Sequence, residues 1–105
     1  MNGQYIIVST TFADKAEAEK CIAVLLDKRI VACCQISEIE SIYRWHGNIE
    51  RSKEYKVEIK STKKLFSKIK ETIIAKSSYD VPEIVAYDII EGSEEYLQWI
   101  DTETE

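Results

Sequence analysis

The chain has 105 residues, of which 45% are hydrophobic and 31% charged, a composition typical of one globular domain (residues 1–105) and not of a disordered chain. No apolar run approaches the roughly 18 residues of a transmembrane helix, so we expect no membrane partner. The formal net charge of -5 argues against nucleic acid as a partner, because phosphate binding requires clustered Lys and Arg.

The cysteines and the amino terminus predict a cytoplasmic location. Cys21, Cys33 and Cys34 are odd in number and lack framework spacing, which favours reduced thiols over a secreted disulfide scaffold. Residues 1–4 carry no basic segment, and the apolar run that follows them is too short for a signal peptide.

The first strand and helix have clear signals. Residues 5–8 (YIIV) are continuously apolar, which predicts a strand buried on both faces. Asp14 followed by Glu17 is the pattern of a capping box, so we expect a helix over residues 15–28.

A long β-hairpin is predicted in the middle of the chain. Residues 30–36 are rich in β-branched and small apolar side chains, and the extended pattern continues to Trp45. Turn residues at 46–48 (HGN) lead into residues 54–60, where apolar and charged side chains alternate with a period of two. The returning strand should therefore have one buried face and one wet face.

The second half of the chain repeats the helix-strand order. Thr62 can cap a second helix that ends near Lys76. Residues 79–82 should be irregular, because a residue before proline avoids the α region. Residues 84–90 predict a fourth strand, and Ser93 predicts the cap of a short third helix.

The order βαββαβ plus a carboxy-terminal helix predicts an α+β ferredoxin-like plait with a long β2–β3 hairpin. In this fold two helices cover one face of a four-stranded antiparallel sheet. The other face is left open, and a trimer of the same chain can close it.

Four segments of the chain resemble segments of a known protein family, in the same order and at the same separations. They are Ala32-Cys33, residues 41–50 (SIYRWHGNIE), residues 79–84 (YDVPEI) and residues 91–100 (EGSEEYLQWI). Together they resemble the CutA divalent-cation-tolerance family over nearly the whole chain. The resemblance implies a tightly packed homotrimer whose hairpins lock onto neighbouring subunits, with a shape like that of the trimeric PII signalling proteins.

The resemblance also implies weak binding of a divalent cation such as copper, with no required cofactor. Cys33 matches the Ala-Cys step of the family and is the first candidate ligand for soft Cu(I). His46 and Glu83 are the other candidate metal ligands. Many members have His-Pro where this chain has Ser77 and Ser78, and that His is a proposed ligand in some members.

The resemblance further implies an intersubunit cleft. Its expected residues are Tyr43, Trp45, Lys60, Tyr79, Asp80 and Glu83. Tyr43 and Trp45 occupy alternate positions of an extended strand and should share one face, buried against a neighbouring subunit. We also expect that Lys60 and Glu83 can form a partly buried ion pair.

The sequence lacks the signatures of an enzyme. It has no Gly-rich phosphate loop, no G-x-S-x-G elbow and no H-E-x-x-H motif. We therefore hypothesise a trimeric binding or adaptor protein in copper and divalent-cation homeostasis, partnered by a cation or another protein. The alternative is a PII-like small-molecule sensor with its ligand in the intersubunit cleft, and a minor hydrolase using that cleft is a third hypothesis.

Overall fold

The structure is a computed structural model that describes residues 4–105. Its elements are β1 (Tyr5–Phe12), α1 (Lys15–Asp27), β2 (Cys33–Trp45), β3 (Asn48–Thr62), a 3-10 turn (Lys63–Leu65), α2 (Phe66–Lys76), β4 (Ile84–Asp88) and α3 (Glu94–Glu103). Residues 1–3, which belong to the predicted domain and to the prediction of location, lie outside the described part.

The strands form one antiparallel sheet in the order β2-β3-β1-β4, which confirms the predicted ferredoxin-like plait. β1 is central: its Val8 lies opposite Ile59 of β3 and opposite Ala86 of β4. Every residue of β1 except Ile7 is buried. A strand that is covered on both faces favours apolar side chains at successive positions, which explains why residues 5–8 show no alternation.

The main core lies between this sheet and the helices α1 and α2. Val8 and Ile59 of the sheet are fully buried against Cys21 of α1 and against Ile69 and Ile73 of α2. Burying an aliphatic side chain of this size stabilises the fold by about 1.5–3 kcal/mol. This layer therefore fixes the frame on which the candidate site is built.

α3 packs on the opposite face of the sheet, at one end. Leu97 and Ile100 form a second apolar cluster with Tyr5 of β1. The Tyr5 hydroxyl also donates a hydrogen bond to the carboxylate of Asp101. Ser93 caps the helix by accepting a hydrogen bond from the backbone N–H of Tyr96 at 3.2 Å, as predicted.

The hairpin of β2 and β3 extends beyond the rest of the sheet. Its pairing runs from Cys33 opposite Lys60 to Trp45 opposite Asn48, whereas β1 follows β3 only as far as Tyr55. Residues 39–54, hereafter the hairpin arm, are therefore a two-stranded ribbon that projects from the body. The arm explains why the chain measures 46 Å along its longest axis and only 26 and 21 Å across.

The arm ends in a two-residue turn with left-handed backbone at both positions. His46 has φ 50° and Gly47 has φ 83°. This is the geometry of a type I′ turn, whose twist matches that of the flanking strands. The predicted turn at residues 46–48 is confirmed, with Asn48 already serving as the first residue of β3.

Several predicted boundaries were wrong. Thr62 accepts no capping hydrogen bond, because its side chain is buried at the end of β3, and α2 begins only at Phe66 after the 3-10 turn. β2 begins at Cys33, three residues later than predicted, and β4 ends at Asp88, two residues earlier than predicted. α1 ends one residue before the predicted Lys28.

Candidate functional site

A cleft of about 670 Å³ opens where the hairpin arm meets the segment before β4. It is lined by Thr11, Ser41, Ile42, Tyr43, Trp45, Glu54, Ser78, Tyr79, Asp80, Val81 and Glu83. The arm supplies one aromatic wall, and the irregular segment 77–83 supplies the other. The volume is within the range of small-molecule sites in proteins.

Glu54 and Tyr79 join the two walls of the cleft. The Tyr79 hydroxyl donates a hydrogen bond of 2.6 Å to Oε2 of Glu54, and Glu54 is only 9% exposed. Burial, followed by this hydrogen bond, raises the pKa of Tyr79 well above its ordinary value of 10.0. The phenol therefore stays protonated at neutral pH and serves as a fixed donor to the carboxylate.

Glu17 of α1 anchors the segment 77–83. Its carboxylate accepts a hydrogen bond from the backbone N–H of Ser78 and another from the Ser78 hydroxyl at 3.1 Å. Ser77 adds a local turn, because its hydroxyl accepts from the backbone N–H of Tyr79 at 3.1 Å. Ser77 and Ser78 therefore hold this side of the cleft in place.

The predicted capping box of α1 is only half formed. The Asp14 carboxylate accepts from the Glu17 backbone N–H at 2.8 Å, as an N-cap should. In the full motif the Glu17 side chain would return to the N-cap backbone, but here it binds Ser78 instead.

Five of the six residues predicted for an intersubunit cleft line this cleft of the single chain. They are Tyr43, Trp45, Tyr79, Asp80 and Glu83. Tyr43 and Trp45 lie on the arm with 42% and 45% of their surface exposed in the single chain. The Tyr43 hydroxyl lies 3.3 Å from the Ser52 hydroxyl across the hairpin, which fixes the direction of the ring.

The sixth residue, Lys60, lies elsewhere on the sheet. Its ammonium group donates to the side chain of Gln35 on β2. Lys60 shares a row of the sheet with Ile7 and Tyr87, and Glu83 lies four residues before Tyr87. Four extended residues span roughly 13 Å along the strand direction, so the expected Lys60–Glu83 ion pair does not form in this structure.

The three predicted metal ligands do not come together within one subunit. Cys33 is the first residue of β2 and His46 follows its last residue, so an extended strand of roughly 40 Å separates them. Glu83 lies at the cleft between these two ends. Across residues 4–105, no three His, Cys, Asp or Glu side chains are grouped so that they could hold a metal ion.

The two adjacent cysteines face opposite sides of the sheet, as strand geometry requires. Cys34 packs against the main core, where burial raises its pKa to about 12. Cys33 lies on the other side, against Tyr96 of α3, and burial followed by contact with Cys33 raises the pKa of Tyr96. Burial also raises the pKa of Cys21 to about 11, so Cys21 and Cys34 remain thiols at neutral pH.

Sequence reasoning missed Glu54 and Glu17 as parts of the site. Glu54 belongs to the charged positions of the alternating strand, which usually face water, and Glu17 was assigned to a helix cap. Their partners, Tyr79 and Ser78, are 25 and 61 residues away in the chain. No local pattern indicates pairings at such separations.

A comparison with known protein families identifies the relatives of this chain. The family model described as "CutA1 divalent ion tolerance protein" matches residues 6–103. The chain belongs to the CutA1 family. The match extends from β1 to the end of α3 and so includes both walls of the cleft.

Individual CutA relatives are similar over most of this chain. The divalent-cation tolerance protein CutA of Pyrococcus horikoshii is 40% identical over 99 residues, which cover 94% of this chain and 97% of that protein. The structure of the periplasmic divalent cation tolerance protein CutA from Archaeoglobus fulgidus is 33% identical, with a TM-score of 0.94 and coverage of 96% and 99%. The chloroplastic protein CutA of Arabidopsis thaliana is 32% identical over 100 residues, covering 94% of this chain and 55% of that protein.

These names bear on location and activity. One CutA is named as periplasmic and another as chloroplastic, so location varies within the family. Within residues 4–105, no helix has the length and apolar character to cross a bilayer. The names refer to tolerance of divalent cations and to no enzymatic reaction. The comparisons give no support to the alternative of a PII-like sensor.

Proposed function

We propose that this CutA1 chain is a non-catalytic binding or adaptor protein for divalent-cation tolerance, acting in the cytoplasm as a homotrimer. The observation that carries the proposal is the exposed apolar surface of the hairpin arm. Trp45 and Tyr43 are nearly half exposed in the single chain, and Ile42 and Ile49 are 55% and 61% exposed. Soluble proteins rarely leave such a surface in water, and aromatic side chains are enriched at interfaces.

The shape of the arm supports assembly with other copies. A two-stranded ribbon on its own is marginally stable in water and needs a further layer or further strands. β4 offers an unpaired strand edge, because it lies at one border of the sheet. Its Val85 and Tyr87 are also exposed. A trimer in which arms cover these surfaces is consistent with the CutA1 structures that this chain resembles.

The experiment that tests the assembly introduces a charge on the arm. Trp45→Glu places a charge on the proposed contact, near the tip of the arm, and should shift the mass in light scattering from the trimer toward smaller species. The matched control is Lys20→Glu, which alters an exposed position of α1 far from the arm. Equal masses for wild type and Trp45→Glu would show that the arm is not part of the subunit interface.

Metal binding is a separate part of the proposal. Because Cys33 and His46 lie at opposite ends of β2, and residues 4–105 hold no group of three candidate ligands, each residue would hold a cation with few partners, and we expect weak binding. Cys33 supplies the soft ligand that Cu(I) prefers. Calorimetric titration with Cu(I), Cu(II) and Zn(II) should show weaker Cu(I) binding for Cys33→Ser. Cys21→Ser, at a buried thiol, is the control, and an unchanged Cu(I) titration of Cys33→Ser would remove the copper proposal.

A further inference from the structure

The positive charge of this acidic chain is concentrated on one segment. The 3-10 turn and α2 (residues 63–76) carry five lysines and one acid, whereas residues 77–105 carry nine acids and neither lysine nor arginine. α2 covers one face of the sheet and α3 packs on the other, so the sheet separates the two charges within one subunit. The outer side of α2 therefore keeps a positive potential in a chain whose net charge is -5.

A groove of about 190 Å³ between α1 and α2 gathers three lysines. It is lined by Val24, Lys28, Ile30, Lys68, Glu71, Thr72, Ala75 and Lys76. The ammonium group of Lys28 donates a hydrogen bond of 3.2 Å to the hydroxyl of Thr72. Thr72 is only 4% exposed, and its hydroxyl donates in turn to the carbonyl of Lys68 at 2.9 Å. A buried side chain of α2 therefore holds the Lys28 cation at the groove.

The three ammonium groups of the groove form no ion pair with any of residues 4–105. The basic residues that do form ion pairs all lie outside the groove; they are Arg29, Arg51, Lys53 and Lys56. Of the lining residues only Glu71 is an acid, and in the described chain its carboxylate forms no ion pair either. Like charges gathered around one groove repel one another, so a negatively charged occupant lowers their electrostatic energy.

The groove remains accessible in the proposed trimer. The surfaces assigned to the subunit interface are the hairpin arm, the edge of β4 and the open face of the sheet. α1 and α2 cover the opposite face of the sheet, and Lys28, Lys68 and Lys76 are exposed on the outer side of this helical layer.

The shape and chemistry of the groove favour an acidic peptide as the occupant. Lys68 and Lys76 are eight residues apart on α2. That separation is roughly 12 Å, the span of about four extended residues. A membrane or a nucleic acid would instead present a broad anionic surface, which a chain of net charge -5 repels. The lining residues also include no arginine, the side chain that pairs with phosphate through two parallel hydrogen bonds.

We infer that the groove between α1 and α2 docks an acidic segment of a partner protein, whose carboxylates pair with Lys28, Lys68 and Lys76. This inference rests on the proposed adaptor function, because it names the chemistry of the partner and the surface that receives it. The pairs are exposed to solvent, so we expect an affinity that is low and that falls as the ionic strength rises.

The test measures the fluorescence anisotropy of a tetra-aspartate peptide with a neutral fluorophore, titrated with the full chain. Tetra-asparagine, which has the same length and no side-chain charge, is the reference ligand. Tetra-aspartate should bind at least about tenfold more tightly at about 0.05 M salt, and about 0.5 M salt should abolish the difference. Equal affinity for the two peptides at low salt would overturn the inference.

Matched double variants distinguish the groove from the general charge of α2. Lys68→Gln with Lys76→Gln removes two cations of the groove and should weaken tetra-aspartate binding about fivefold. Lys64→Gln with Lys70→Gln removes the same charge from the same segment outside the groove, and it should weaken binding by less than about twofold. All four side chains are exposed, so both variants should fold. An equal loss of affinity in the two variants would overturn the site.

The acid of the groove gives a prediction of opposite sign. Glu71→Gln should strengthen tetra-aspartate binding about twofold, because it removes a repulsion. Weaker binding by Glu71→Gln would contradict contact of the peptide with the groove. Vesicles of phosphatidylserine that bind the wild type while tetra-aspartate does not would assign the groove to a membrane surface and overturn the peptide.

The solution mass of each titrated sample separates this inference from the proposed assembly. A trimer that does not distinguish tetra-aspartate from tetra-asparagine contradicts the docking groove alone. A single subunit contradicts the proposed assembly, whatever its affinity for the peptides.

Discussion

The Tyr79 hydroxyl and the Glu54 carboxylate, 25 residues apart, are joined by a hydrogen bond of 2.6 Å that ties the segment before β4 to the hairpin. This bond closes the base of the cleft. It also satisfies one oxygen of a carboxylate that the fold has removed from water.

We predict that Tyr79→Phe lowers the free energy of unfolding by about 1–3 kcal/mol, because a buried carboxylate loses its donor while the ring is kept. Urea denaturation at one fixed protein concentration measures this change. Tyr43→Phe is the control, since the 3.3 Å contact of its hydroxyl with Ser52 is exposed to solvent and its loss should change the free energy of unfolding by less than about 0.5 kcal/mol. Equal effects of the two substitutions would show that the Tyr79–Glu54 hydrogen bond stabilises the fold no more than the Tyr43–Ser52 contact does.

Two neighbouring isoleucines of α2 provide a test of the core. Ile73 is fully buried against the sheet, whereas Ile74 is 53% exposed on the adjacent face of the helix. Ile73→Ala should cost about 2–5 kcal/mol of stability, because it leaves a cavity. Ile74→Ala should change stability by less than about 1 kcal/mol, since alanine favours helices. Similar losses of stability for both variants in thermal unfolding would contradict the burial of Ile73 against the sheet.

The N-cap of α1 makes a further prediction. Asp14→Ala should lower stability by about 1 kcal/mol, because the helix loses both a capping acceptor and a favourable charge at its amino end. Asp27 stands at the carboxyl end of the same helix, where a negative charge is unfavourable. Asp27→Ala should therefore be neutral or slightly stabilising, and the reverse order of the two effects would exclude the capping role.

The buried thiols predict a loss of stability in alkali. Burial raises the pKa of Cys21 from 9.0 to about 11 and that of Cys34 to about 12. Above about pH 9 the unfolded thiols release protons that the native thiols retain, so the unfolded state binds fewer protons and stability falls as the pH rises.

For Cys21 alone, this effect amounts to about 2 kcal/mol between pH 9 and pH 11. Cys21→Ala should therefore show a shallower decline of unfolding free energy over that interval than the wild type. Urea denaturation curves at half-unit steps of pH measure both slopes. Identical slopes would mean that Cys21 does not contribute to the alkaline loss.

Periodicity was a good guide to the secondary structure. The stripe of α1 and the alternation of β3 each reflect one buried face; α1 ends one residue earlier than predicted, and β3 includes the alternating residues 54–60. The start of β2 was misplaced because Ile30 and Val31 are buried without belonging to a strand. They follow Arg29, whose left-handed φ of 58° turns the chain sharply into the core. Arginine is not a residue type that predicts a left-handed turn.

The site was only partly predictable for a different reason. The family likeness brought Tyr43, Trp45 and Tyr79 to one cleft, since those residues sit in recognisable segments. Glu54 looks like any charged residue on the wet face of a strand, and only the arrival of Tyr79 from a distant loop buries it. Within one chain Lys60 lies outside this cleft, because its row of the sheet is set by pairing with Ile7 and not by closeness to a strand junction in sequence.

The most direct test of the account is the mass of the purified chain in solution, measured by light scattering during serial dilution. A trimer closed by its hairpin arms should keep three times the chain mass of 12.1 kDa at every concentration, because large apolar interfaces dissociate little on dilution. A stable, folded species of 12.1 kDa, with Trp45 and Tyr43 left in water, would contradict it.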